Sequence, residues 1–195
     1  AINCFLPEDL GDFLRDHPQV RVSLEEQPSP AIVRAVAAGQ VEIGVVADEG
    51  NLAGLETLPY RRDRLVLIVP PAHPLAGEPA VAFARVLAEP FVCLHAGSAI
   101  HTFMMNHAAQ LGGRLDVRIQ VRSFNAVCRM VAAGVGIGMV PRSAVGTADA
   151  VRLIEITDPW APRDLQLCVR SRSALPAAAQ ALLAHLAGMG SGQAG

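Results

Sequence analysis

The chain contains no lysine: all 16 of its basic residues are arginine, scattered along its length instead of gathered into a block that could track phosphates. With a formal net charge of −2, it is not expected to bind DNA by itself. Charge is scarce altogether, at 17% of residues, and aromatics make up only 4%, while 51% of the chain is apolar. That balance excludes a disordered polyelectrolyte and predicts a core of Val, Leu, Ile and Ala.

Closely spaced cysteines are also missing. Cys4, Cys93, Cys128 and Cys168 stand far apart, mostly within apolar runs, which excludes the paired spacing of a zinc site or redox motif. They read as buried thiols of a cytosolic core. No apolar run approaches the roughly 20 residues of a membrane-spanning helix; Leu65 to Ala72 has the length of a strand. No secretory leader is visible, although a cleaved one would leave no trace, and the expectation from the cysteines is a cytoplasmic protein without a membrane partner. Its 195 residues suffice for one domain or two small lobes without disulfides or metal.

What is present is an alternation of helices and strands. Pro7, Glu8 and Asp9 open a helix whose apolar positions Leu6, Leu10, Phe13 and Leu14 have helical spacing, and His17-Pro18 stops it. Val20 to Leu24 alternates as a strand. Ser29-Pro30 offers a cap and a first-turn proline ahead of Ile32, Val33 and Val36, and Gly39 ends that helix. Strands follow at Val41 to Ala47 and Leu65 to Pro70, the latter apolar on both faces. The second half repeats the plan: strand Phe91 to Leu94, helix from Ser98 to about Leu111, strand Val117 to Val121, helix Phe124 to Ala133, strand Val135 to Val140. Arg152 to Ile156 and Leu165 to Val169 are further strands, Pro176 to Leu186 a closing helix, and Gly188 to Gly195 a floppy tail.

The echo is also literal. Val36-Ala37-Ala38-Gly39 with Ile43-Gly44-Val45-Val46 matches Val131-Ala132-Ala133-Gly134 with Ile137-Gly138-Met139-Val140. The expected fold is therefore α/β, with two Rossmann-like lobes joined by two crossover strands. Lobe I takes residues 1–70 and 162–195, and lobe II residues 71–161. The second lobe has a strand before its first helix and the first has none, so a strand is expected upstream.

Three stretches, in order, resemble the LysR-type regulator family: Ala35 to Val46 with Glu42-Ile43-Gly44, then His73-Pro74-Leu75-Ala76, then Ser123-Phe124-Asn125-Ala126-Val127 through Val131 to Gly138 and on to Pro141. The resemblance spans nearly the whole chain. It implies the type 2 periplasmic binding protein fold and an effector sensor of a transcription regulator, not an enzyme. It further implies DNA binding through an N-terminal winged helix-turn-helix absent from this sequence, and pairing into a homodimer. No cofactor is implied.

The repeat predicts a cleft, and helix N-termini at strand ends are what such clefts use to hold anions. Ser29 is expected to cap the second helix of lobe I, Gly97-Ser98 to open the first helix of lobe II, and Ser123 to cap its second. Each hydroxyl can bond a small carboxylate, and Gly97 lets backbone approach it. A serine there is equally an ordinary cap, and from the residues alone both readings stand. The resemblance adds that relatives contact effectors at these positions, and that Phe124 matches an apolar pocket position. Val46 and Ala47 would supply an apolar wall. The expected ligand is a small carboxylate or other polar metabolite.

Other signals fail. Gly134-Val135-Gly136-Ile137-Gly138 follows a helix and enters a strand, the reverse of a dinucleotide loop, and reads as close packing. A six-residue step along a helix turns it by about 240°, so at most two of His95, His101 and His107 could meet one metal; no metal site is expected, and surface or interface positions fit them better. No Ser/His/Asp set has a nucleophile-elbow pattern. The alternative function is an extracytoplasmic solute-binding protein of a transporter.

Overall fold

Helix α1 (Leu6–Asp16) starts where the sequence predicts: Pro7 sits in its first turn, where a missing N–H costs nothing, and Glu8 and Asp9 lie at the positive end of the helix dipole. Leu6, Leu10 and Phe13 are buried, and the helix stops at His17, whose ring stacks on Phe13 at 4.2 Å. The computed structural model describes residues 5–47, 52, 54–147 and 150–191. The chain divides into two units, one holding residues up to Arg62 and from Arg163 onward, the other Asp63–Pro162. The sequence reading sets its first boundary after residue 70, whereas the structure assigns the segment 65–69 to the second unit. The reason is pairing, since that segment is flanked on both sides by strands of the second unit.

In the first unit, α2 (Ser29–Ala37) leads into β1 (Gly44–Ala47), which runs antiparallel to β8 (Pro162–Val169) with Gly44 opposite Cys168 and Ala47 opposite Leu165. β8 also neighbours β2 (Glu56–Val69). The closing helix α6 (Ala177–Ser191) packs with α1 over a core of Leu6, Leu10, Tyr60, Leu167 and Leu186. It runs through Gly188, where the sequence reading expects a floppy tail, because Arg61 anchors the Met189 carbonyl at 3.2 Å.

A buried polar network joins α1, β2 and α6. Asp9, 2% exposed, accepts from the Tyr60 hydroxyl and from Arg61 at 2.7 Å, and its carbonyl lies 2.9 Å from His185 Nε2. Burial, reinforced by the Asp9 carboxylate, raises the Tyr60 hydroxyl well above the usual phenol range.

One expected strand is absent. Residues 20–24 keep the alternation, with Val20 and Val22 half-buried and Arg21 and Ser23 exposed, but they form no strand. A strand needs a ladder as well as a pattern. The counterpart in the second unit obtains one from the strand preceding its first helix, and among the described residues no strand precedes α1.

In the second unit the later part of β2 is flanked antiparallel by β6 (Gly138–Pro141) and β7 (Arg152–Ile156), with β3 (Ala80–Val81) parallel to β7. β4 (Pro90–Leu94) runs parallel to β5 (Asp116–Val121), and Phe91 bridges Ile137 in the parallel sense. Helices α3 (Phe83–Val86), α4 (Ala99–Gln110) and α5 (Phe124–Ala132) complete it. β1 and β6 are shorter than expected, starting at Gly44 and Gly138 instead of Val41 and Val135. The missed part of β2, residues 56–64, is rich in charge and carries an exposed Pro59, which masks its pattern.

The literal echo has a physical basis. In α2 the Gly39 N–H bonds to the Val36 carbonyl and the Gln40 N–H to that of Ala35; in α5 the Gly134 N–H bonds to Val131 and Val135 to Met130. Both helices thus end in the same two-bond cap, with φ of 70° at Gly39 and 77° at Gly134, a conformation that only glycine adopts cheaply. Gly138 then lets α5 lie on β6, since a Cβ there would sit 2.8 Å from Val127 Cγ1. Cys93, Cys128 and Cys168 are buried and form no disulfide among the described residues, and burial pushes the Cys93 thiol up to about 11. Cys4 lies outside the described residues.

Candidate functional site

In the second unit β4 and β5 end side by side, Leu94 opposite Val121, and the His95 N–H extends the ladder to the Val121 carbonyl at 2.8 Å. Each strand then turns into a helix. The loop after β4 is tightened by the His95 carbonyl, which accepts from both Gly97 and Ser98 at 3.0 Å. Ser98, 1% exposed, caps α4 by accepting the His101 N–H at 3.3 Å, and Ser123, exposed, caps α5 by accepting that of Ala126 at 3.2 Å. Both expected caps form. The amides of Ala99, Ile100, Phe124 and Asn125 have no acceptor among the described residues. Two helix N-termini with free donors thus stand at the carboxyl ends of adjacent parallel strands, the place where open α/β folds hold anions.

Phe124 is half-buried and packs against the core edge. Gly97 is exposed, but its own amide is taken by His95, and a Cβ there would meet only the His95 ring at 3.5 Å, an ordinary contact. Its smallness is therefore not required by packing within the unit.

The first unit departs from expectation. Pro28, not Ser29, is the cap residue of α2, and the Ser29 hydroxyl instead accepts the Ala47 N–H at 3.4 Å. Ser29 and Ala47 are thereby brought together, though not through capping. α2 offers little to an anion, since Pro30 has no N–H and Ala31 donates to the Pro28 carbonyl at 2.8 Å. Val46 is only 1% exposed and packs with Val36 and Cys168, so its side chain belongs to the core and forms no wall. A hollow of about 240 Å³ beside α6, lined by Leu58, Arg172 and Leu183 among others, contains none of the expected residues, and Glu56 already holds Arg172 at 2.7 Å.

The sequence reading gives His101 a surface or interface position, whereas within this chain the residue is only 9% exposed and its Nδ1 is buried without a partner. Burial, and then the nearby charge of His95, lowers its pKa. The signal is present in the sequence: His101, Met104 and Ala108 share one helix face by their spacing, and all three are buried. His107 is half-buried, stacked on Trp160 at 4.8 Å, and His95 is exposed. Among the described residues no group of His, Cys, Asp or Glu could hold a metal ion, and no helix is long and apolar enough to cross a membrane.

Two α/β units linked by two chain crossings make the type 2 periplasmic binding protein-like fold. The regulatory domain of CcmR from Synechocystis, solved in complex with 2-PG, matches with a TM-score of 0.77 at 21% identity, covering 97% of this chain and 92% of that one. The effector-binding domain of QuiR with shikimate gives 0.72 at 17% identity, covering 97% and 91%. The chain belongs to the LysR substrate binding domain family, which it matches over residues 1–190. YwbI of Bacillus subtilis, an uncharacterized HTH-type transcriptional regulator, is 30% identical over 183 residues, which is 93% of this chain and 61% of that protein. The chain thus spans less than two thirds of the length of that relative.

Proposed function

We propose that this domain senses a small carboxylate or phosphate effector for a cytoplasmic, non-enzymatic transcription regulator, and that the effector's anionic group is taken on the N-termini of α4 and α5. One observation carries the reading: two serine-capped helices leave adjacent parallel strands with free amides in both first turns. Donors converge there without a nucleophile and base pair that would do chemistry. Gly97, Ser98, Ser123 and Phe124, all of the second unit, contribute to this site. In the second unit Ser98 and Ser123 keep their O–H hydrogens for the ligand while their oxygens cap the helices. Shikimate bound to the QuiR domain supports a carboxylate.

The effector works by population shift, favouring one arrangement of the sensor that the intact regulator reports to DNA through its helix-turn-helix. The 195-residue chain, at net charge −2, has no basic reading helix among the described residues and is expected not to bind DNA selectively. The relatives' regulatory role favours this over a transporter's solute-binding protein.

A thermal-shift screen of small carboxylates and phosphates tests the reading, since a ligand at 100 times its Kd stabilises by about 2.7 kcal/mol. Ser98→Ala and Ser123→Ala should then each weaken the hit by roughly ten- to a hundredfold, the loss of one hydrogen bond to a charged group. Parent-like binding by both variants would contradict the assignment.

A further inference from the structure

We infer that His101 is a recognition residue for an oxyanion: its Nδ1 joins the free amides of Ala99 and Ile100 to receive one carboxylate or phosphate group of the effector, a role that rests on the proposed effector site at α4. An imidazole in this place is costly without a ligand. His101 shares its helix face with Ile100, Met104 and Ala108, all buried, and its Nδ1 has no hydrogen-bond partner. A buried polar atom left unpaired opposes folding, and an apolar side chain would fill the same space without that cost. The group is explained if something outside the chain supplies the missing partner.

The direction of the side chain fits. Helical side chains lean toward the N-terminus, and His101 stands in the first turn of α4, the turn that carries the free amides of Ala99 and Ile100. His95 borders the same turn: it lies near enough for its charge to act on His101, and a Cβ on Gly97 would stand 3.5 Å from its ring. The segment from His95 to Gln110 contains no Asp or Glu. A ligand amine would thus find no counter-charge there, whereas an oxyanion meets the amides, the Ser98 hydroxyl and two imidazoles. Carboxylate and phosphate share this chemistry, and titration separates them.

The test compares the parent chain with His101→Leu, which keeps apolar bulk, and His101→Asn, which returns an N–H donor near the Nδ1 position. Calorimetric titration uses inorganic phosphate and a panel of small carboxylates that includes shikimate. The parent is expected to bind a member of one class, His101→Leu to bind it roughly ten- to a hundredfold more weakly, and His101→Asn to stay within a few-fold. Unliganded His101→Leu should melt at or above the parent's temperature. Parent-like binding by His101→Leu overturns the role of His101 while leaving the effector site standing, and so does a loss of binding accompanied by a lower melting temperature, which marks a structural group. A parent that binds no carboxylate and no phosphate overturns the effector reading and this role together.

Discussion

The three glycines of Gly134-Val135-Gly136-Ile137-Gly138 can be separated by substitution to alanine, because each is small for a different reason. Gly134 has φ of 77° and nothing within 4 Å of an added Cβ, so its cost is purely conformational, about 1 kcal/mol. A Cβ on Gly138 would lie 2.8 Å from Val127 Cγ1 and 3.2 Å from both Ile68 and Val131, side chains that can give slightly, and overpacking of that kind costs about 1–3 kcal/mol. Gly136 is the extreme: its Cβ would stand 2.2 Å from the Pro90 carbonyl oxygen, where backbone must move and the parallel contact between Phe91 and Ile137 is at stake. Its cost should exceed the upper end of that overpacking range, about 3 kcal/mol. Urea unfolding followed by the fluorescence of Trp160, the chain's single tryptophan, reports on this unit, since Trp160 packs against Phe83 and Phe103. The expected order of destabilisation is Gly136, then Gly138, then Gly134. An alanine at 136 that costs no more than one at 134 would refute the packing account, and saturable binding of a dinucleotide lost on these substitutions would revive a phosphate loop.

Two further outcomes follow from particular side chains. His101 has its pKa lowered below 6.5 by burial, so the unfolded chain takes up a proton before the folded one as pH falls, and the stability associated with the neutral imidazole is lost below about pH 6.5. The melting-temperature advantage of His101→Leu over the parent should therefore widen between pH 7.5 and 5.5, other groups cancelling in the difference; a constant gap would mean that the imidazole is not protonated on unfolding. On α4, Met105 is 37% exposed and Ala109, one turn on, is also exposed while Ile100, Met104 and Ala108 are buried, which leaves an apolar side of the helix for a proposed two-fold dimer. Sedimentation should find a dimer that Met105→Glu shifts toward monomer at an unchanged melting temperature, and a parent that stays monomeric at high micromolar concentration would remove this contact from the account.

Residues whose role is local can be read from the sequence. Gly39 and Gly134 end helices by a geometry confined to a few neighbours, and Ser98 and Ser123 cap through bonds three residues long, so their letters carry the structure. Roles decided across the fold are hidden. Ser29-Pro30 has the form of a cap and first-turn proline, but Pro28 takes the cap and Ser29 turns to Ala47, 18 residues away. Alternation along β1 shows that Val46 and Ala47 point opposite ways without showing which way is inward; Val46 is the core residue. The pattern at 20–24 is that of a strand, but pairing depends on a neighbour that no local pattern supplies. His101 escapes a reading that weighs the three histidines only as metal ligands, although the apolar company of Met104 and Ala108 already marks it as inward-facing.

The central claim concerns where the effector's anionic group is received, and backbone amide NMR reads it residue by residue. With the first carboxylate or phosphate that raises the melting temperature, titration should move the amides of Ala99, Ile100, Phe124 and Asn125 earliest and furthest, because these are the free donors of the two helix N-termini. Shifts that leave those four amides in place and gather instead around Leu58, Arg172 and Leu183 would place the ligand in the hollow beside α6 and contradict the account.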